Sequence, residues 1–383
     1  MKKIIKRELP LGYKANGLAC GIKKSGKPDL GLVFCERPAK AFGLFTTNRV
    51  TSGSVKFSQE NLNKSRAFQA IIVNSGNANC WTKDDSFKKA RDVAAELSRL
   101  LRIKRKRVLL ASTGIIGKPL PVSRIKKALP ALVGGLSESG LINAARAILT
   151  TDTFIKLNSV RFKIGKGLTT ICGLAKGAGM IAPNLASGKA TMLCFILSDA
   201  NITQRALGKA LRQAVDGSFN CITIDGCMST NDTLLMMSNS AAFNPKIEVG
   251  SRYFNKFSSG LKRVCLNLAK MIVRDAEGAT KFIKIRVRGA RSPGEARQVA
   301  LSIANSNLFK AAMFGRSLNL GRIIAAIGAS GVDIKERDVR VRSSPLNKKD
   351  IYVEAQLKRG NGEAVVYTSD LTPEYVKINA KYN

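Results

Sequence analysis

The chain has 383 residues, of which 45% are hydrophobic and 6% aromatic, and its 64 Lys and Arg against 26 Asp and Glu give a net charge of +38. It contains no histidine, which excludes Ser-His-Asp and Cys-His catalysis and the common imidazole metal sites. The positive excess attracts anions, but the densest basic run, residues 102–107, has no aromatic side chain for base stacking, so a solvated basic surface is the better reading than an RNA site.

Residues 1–10 lack the apolar stretch of a signal peptide, and no run reaches the roughly 20 apolar residues that span a bilayer; a cytoplasmic protein is expected. Residues 70–73 (Ala-Ile-Ile-Val) predict a strand followed by a polar loop from Asn74 to Asn79. Next comes a helix with Ser86 as cap and Phe87, Ala90, Val93, Ala94, Leu97 and Leu101 on one face. A second strand, 108–111, runs into Ser112-Thr113-Gly114-Ile115-Ile116-Gly117, where the glycines permit a tight turn whose amides converge on one point.

The most informative junction lies further on. A small-residue loop from Gly177 to Ala190 meets an apolar strand expected over Met192 to Leu197, which places Thr191 at its mouth. If the peptide bond before Thr191 is cut, the residue gains a free α-amine beside its own hydroxyl, a base that needs no imidazole. A helix follows over Thr203 to Val215, then an alternating stretch from Ser218 to Thr233 that ends in a turn; Asp225, Asn231 and Asp232 read as turn residues and stay outside the candidate site. Asn244-Pro245 marks the nearest boundary for a C-terminal subdomain. Beyond it the pattern gives a helix over Ser259 to Arg274, a strand over Lys284 to Val287, a helix from Gly294, and a polar loop, Asn319 to Arg322, packed between subdomains. The interleaving predicts a mixed α/β (α+β) protein with helices covering sheets. The eight cysteines have no Cys-x-x-Cys spacing and read as reduced packing residues, with no metal site.

Several segments together carry a resemblance. Ala19-Cys20-Gly21-Ile22-Lys23-Lys24, Phe45-Thr46-Thr47-Asn48, Val73-Asn74-Ser75-Gly76-Asn77-Ala78-Asn79, Ser112 to Gly117, Thr150-Thr151-Asp152-Thr153, Lys176 to Ile181, Ser229-Thr230-Asn231-Asp232-Thr233 and Asp275 to Lys281 occur in order along nearly the whole chain. In this the sequence resembles the ornithine acetyltransferase family, the bifunctional glutamate N-acetyltransferases of arginine biosynthesis. The resemblance implies an N-terminal-nucleophile-like layered sandwich of sheets covered by helices, with a smaller C-terminal α/β subdomain from about residue 245. It further implies self-cleavage between Ala190 and Thr191 into chains 1–190 and 191–383, associated as an α2β2 heterotetramer.

The reaction implied is ping-pong transfer of acetyl from N-acetylornithine to glutamate through acetyl-Thr191. Thr113 and Gly114 are then the oxyanion donors, and Thr150, Lys176, Thr191, Glu277 and Asn379 the substrate contacts, with Thr151 as an alternative to its neighbour. No bound cofactor or metal is implied, and acetyl-CoA as a further donor stays open. Two departures stand out: Ser187 to Ala190 are inserted relative to the family pattern, which leaves Ser187 as a second candidate cut, and the sequence stops at Asn383, one residue short of the family's usual terminal Ser or Thr. Thr191 is preferred because the strand positions it. The competing readings are an N-terminal-nucleophile aminopeptidase of related fold and a basic RNA-associated protein that has lost processing.

Overall fold

The structure, a computed structural model, describes residues 9–83, 85–182 and 192–381. Ser187, Ala190, Thr191 and Asn383 lie outside the described residues. In chain order come β1 (Tyr13–Leu18), β2 (Leu30–Phe45), α1 (Gly53–Lys64), β3 (Phe68–Asn77), α2 (Ser86–Leu100), β4 (Val108–Ile115), α3 (Val122–Gly134) and α4 (Leu141–Ala147). They are followed by β5 (Lys156–Ile164), β6 (Gly167–Lys176), β7 (Leu193–Ser198), α5 (Gln204–Asp216), β8 (Thr233–Ser238) and α6 (Phe254–Arg274).

Hydrogen bonding runs β4-β3-β2-β8-β7-β6-β5, with β1 on the other side of the first half of β2. β2 belongs to both halves: residues 30–34 pair with β3, the register breaks between Phe34 and Ala39, and residues 40–45 pair with β8. Such a break bends the strand and lets one half of the sheet fold over the other. The side-chain period of two then sorts every apolar strand between two cores. In β7, Leu193, Phe195 and Leu197 join Ile71 and Val73 of β3 between the halves, whereas Cys194 and Ile196 pack against α5 and α6. In β3, Ala70 and Ile72 turn instead toward α1, α2 and α3. The result is helix, sheet, sheet, helix, the layered mixed α/β sandwich that was expected.

Several local expectations are corrected. Asp85, not Ser86, caps α2, because its carboxylate accepts the Lys88 N–H at 2.9 Å. β3 and β4 run past their apolar residues to Asn77 and Ile115, since Asn74 and Ser112 bond each other at 2.6 Å inside the fold and do not turn out to water. The stretch after Ser218 forms a short 3-10 turn over Phe219–Cys221 and no strand until β8, which the sequence reading did not separate. Asn319 to Arg322 is the capped start of a helix, with the Asn319 side chain accepting from the Arg322 N–H.

β9 (Phe282–Ala290), α7 (Pro293–Asn305), α8 (Asn307–Phe314), α9 (Leu320–Gly328), β10 (Val339–Ser343), β11 (Asp350–Leu357) and β12 (Gly362–Ser369) build a second sheet in the order β10-β11-β9-β12 with its own core, and α10 (Pro373–Ala380) follows. α6 packs in the first core, so the second sheet begins at Phe282, later than the Asn244-Pro245 boundary. No helix of the described residues is long and apolar enough to cross a membrane.

Candidate functional site

Strand register brings the candidate residues to one end of the sandwich. Lys176, the last residue of β6, lies opposite Leu193, the first of β7, and Leu193 lies opposite Thr233, the first of β8. In the facing half, β3 and β4 run parallel and reach this end at Gly76 and Gly114. Between them opens a cleft of about 110 Å³, lined by Thr113, Gly114, Thr150, Lys176, Glu277 and Asn379. These are all the proposed oxyanion and substrate residues that fall within the described chain. Thr151 lines it as well.

Gly114 has φ +132°, and a Cβ there would lie 2.3 Å from the Gly76 carbonyl carbon. Only glycine lets the two strand ends come this close. The buried Lys176 ammonium donates to the Thr113 hydroxyl at 3.4 Å, which leaves that hydroxyl's own hydrogen free to point elsewhere. Burial lowers the Lys176 pKa and the Asp152 carboxylate opposes the shift. Asp152 in turn accepts from Lys156 Nζ at 2.6 Å, the Gly177 N–H at 2.7 Å and the Thr150 N–H at 3.0 Å. Lys156 also pairs with Asp275, so two buried carboxylates stand beside two buried ammoniums. Burial pushes the Asp152 carboxyl up, but Lys176 and Lys156 hold it well below the usual carboxylate range.

The opposite wall comes from beyond α6. The Glu277 N–H donates to the Ala178 carbonyl at 2.9 Å, and Asn379 Nδ2 of α10 donates to Glu277 Oε2 at 2.9 Å. A Cβ on Gly179 would sit 2.2 Å from the same carboxylate oxygen, so backbone and carboxylate are in close contact. The cleft thus offers a cation on one wall and a carboxylate on the other.

Ser229, Thr230 and Asn231 also line the cleft, although sequence reasoning left Asn231 and Asp232 out as turn residues. Asn231 Nδ2 donates to the Ala78 and Ser112 carbonyls at 2.6 and 2.7 Å, which ties this loop to the facing half-sheet. Asp232 accepts the N–H of Met192, the residue that follows Thr191 in the chain. The missed signal is a polar run ending in Thr233 at the mouth of the apolar segment Leu234 to Met237, the same junction that singled out Thr191.

A two-sheet sandwich with a small cleft at the strand ends, an ammonium on one wall and a carboxylate on the other, defines the class: a layered α/β fold with a charged cleft. The ArgJ family model matches residues 14–383. The arginine biosynthesis bifunctional protein ArgJ of Geobacter sulfurreducens is 43% identical, covering 97% of this chain and 98% of its own, and that of Staphylococcus saprophyticus 41% identical, covering 97% and 94%. Among solved structures, an ornithine acetyltransferase complexed with ornithine from Mycobacterium tuberculosis is 32% identical over 47% of this chain and 97% of its own, with a TM-score of 0.41. The chain belongs to the ArgJ family, whose members in Geobacter sulfurreducens and Staphylococcus saprophyticus are bifunctional proteins of arginine biosynthesis.

Proposed function

We propose that this chain moves acetyl from N-acetylornithine to glutamate through an acetyl ester on Thr191, after cutting itself between Ala190 and Thr191. The observation that supports this best is the convergence of Thr113, Gly114, Lys176, Glu277 and Asn379 on one cleft, next to the strand whose entry follows Thr191. In the cut, Thr191 Oγ attacks the Ala190 carbonyl, the C–N bond breaks as nitrogen takes the hydroxyl proton, and water hydrolyses the resulting ester to leave Ala190 a carboxylate and Thr191 a free amine. That amine then accepts the Oγ proton as oxygen attacks the acetyl carbonyl of N-acetylornithine. The amide C–N bond breaks, ornithine leaves with the proton on its nitrogen, and the glutamate amine takes the acetyl group by the reverse steps.

The Thr113 hydroxyl and the Gly114 N–H serve the developing oxyanion. Lys176 faces a substrate carboxylate, while Glu277 with Asn379 faces the ornithine amine; Thr150, or Thr151 beside it, contributes a hydroxyl to the same wall. Chains 1–190 and 191–383 remain associated as a cytoplasmic α2β2 heterotetramer, with no bound cofactor or metal in the scheme. Intact-mass analysis together with an acetyl-transfer assay tests the reading. Wild type should give two chains, the second beginning at Thr191, and glutamate-dependent transfer; Thr191→Ala should stay whole and inactive. A cut before Ser187 moves the nucleophile, and hydrolysis without need of glutamate favours the aminopeptidase reading. An uncut protein that retains RNA in a salt-sensitive way favours the third reading.

One observation favours acetyl-CoA as a second donor. A groove of about 500 Å³ shares Thr150 with the cleft and is lined by Lys23, Lys24, Lys118 and Lys381 with no acidic side chain among its described walls, a setting suited to phosphates. Glutamate acetylation with acetyl-CoA should occur and should weaken in Lys24→Glu/Lys118→Glu; no acetylation in wild type refutes it.

A further inference from the structure

Asp225 takes no part in the chemistry above and reads in the sequence as a turn residue, yet its carboxylate joins three segments of the cleft. Oδ2 accepts from the Met180 N–H at 2.5 Å and from the Tyr375 hydroxyl at 3.2 Å, and Oδ1 from the Ile181 N–H at 2.9 Å and the Cys227 N–H at 3.2 Å. Met180 is held at φ +55°, a left-handed conformation that a non-glycine residue keeps only when its surroundings hold it there. Its predecessor Gly179 packs directly on the Glu277 carboxylate. Tyr375 stands four residues before Asn379 on α10, and Asn379 Nδ2 reaches both Glu277 Oε2 at 2.9 Å and the Tyr375 carbonyl at 3.0 Å. One carboxylate therefore anchors both neighbours of Glu277: the Gly179-Met180 backbone on one side and the helix bearing Asn379 on the other.

We infer that Asp225 is a positioning residue which fixes the amine-recognising wall of the cleft and so sets selectivity for the substrate that carries a side-chain amine. This rests on the reading of Glu277 as the partner of the ornithine amine. Asn at this position keeps the shape but turns an amide donor toward one set of N–H groups, and loss of alignment on this scale weakens recognition. The test uses the full chain, as wild type, Asp225→Asn, Tyr375→Phe and the double variant, with KM and kcat measured separately for N-acetylornithine and glutamate. Asp225→Asn should raise KM for N-acetylornithine about tenfold with kcat and the glutamate KM changed by less than about threefold. Tyr375→Phe should shift the same constant by less, and the double variant should match Asp225→Asn, because both act through one carboxylate.

Equal KM increases for both substrates, or a lowered melting temperature with unchanged constants, overturn the inference and leave Asp225 a structural residue. If wild type transfers no acetyl at all, the functional reading falls instead, and amide hydrogen exchange then decides on the clamp. Faster exchange at residues 180–181 and in α10 of Asp225→Asn, with 234–237 unchanged, supports it; wild-type exchange there overturns it.

Discussion

Replacing Asp152 by Asn removes one charge from the most enclosed ionic cluster of the described chain. Asp152 has no exposed side-chain surface, and its partners are Lys156 Nζ at 2.6 Å, the Gly177 N–H at 2.7 Å and the Thr150 N–H at 3.0 Å. An Asn must turn its amide nitrogen toward at least one of these donors. Breaking a buried ion pair from one side costs about 3–5 kcal/mol, and because Asp275 keeps Lys156 paired we expect the low end, about 3 kcal/mol at pH 7. The pH dependence follows from the shifts. The Asp152 pKa is depressed in the fold by Lys176 and Lys156 against the effect of burial, so its contribution is complete above the unfolded value of about 4 and fades as pH falls from there toward the folded value. The stability gap between wild type and variant, read from denaturant midpoints, should therefore hold from pH 7 to 5 and narrow below about pH 4. At the other end of the scale, burial lowers the Lys176 pKa and Asp152 is the leading charge that opposes the shift. Without it the ammonium loses its proton at lower pH, and the alkaline rise in KM should move the same way. A gap that is flat from pH 7 to 3 together with an unmoved alkaline limb would refute the assignment of this cluster as the support of Lys176.

Three further substitutions separate the walls of the cleft. Thr113→Val should lower kcat by about 10²-fold to 10³-fold with little change in KM, and steady-state rates within threefold of wild type would remove Thr113 from the oxyanion site. In Gly179→Ala the new methyl group meets Glu277 Oε2, 2.2 Å from the Cβ position; the flexible carboxylate should swing away, raising KM for N-acetylornithine while thermal melts stay close to wild type. Asn231→Ala leaves the Ala78 and Ser112 carbonyls without their 2.6 and 2.7 Å donor, at a cost of about 1–3 kcal/mol for each that stays dry, so a drop in the denaturant midpoint is expected and its absence would mean that water replaces the amide.

Local pattern made the helices and the fold class legible: the stripe of α2 at Ala90, Val93, Ala94 and Leu97 is buried as its spacing requires. The family resemblance carried by the ordered motifs implied Thr113, Gly114, Lys176, Glu277 and Asn379, which meet in one cleft. What stayed illegible depends on partners distant in sequence. Asn74 and Asn231 look like turn residues because their short polar side chains favour turns, but each finds a buried partner distant in sequence: Asn74 bonds Ser112 Oγ on the neighbouring strand β4, and Asn231 reaches across the sandwich to the Ser112 carbonyl. Lys156 carries no local sign of burial, yet it has none of its side chain exposed because Asp152 and Asp275 enclose it. Tertiary satisfaction of polar groups overrides local propensity at just those places where the two half-sheets approach.

The second sheet acquires a role from the same bonds. Asp370, at the end of β12, accepts from the Thr280 and Lys281 N–H groups at 2.9 Å each and from the Thr280 hydroxyl at 2.5 Å, and Thr372 donates to the Gly278 carbonyl at 2.8 Å. The segment bearing Glu277 is thus tied to the end of β12, and α10 starts directly after that tie and carries Asn379 back to Glu277. The wall that carries Thr113 and Gly114, the proposed oxyanion donors, is by contrast built from β4 and the strands around it, whose apolar residues pack between the half-sheets and against α1, α2 and α3. Strain introduced in β9 or β12 should consequently reach the proposed recognition of the amine before it reaches the proposed acyl-transfer step, because Asp370 and Thr372 tie the C-terminal unit to the segment that carries Glu277.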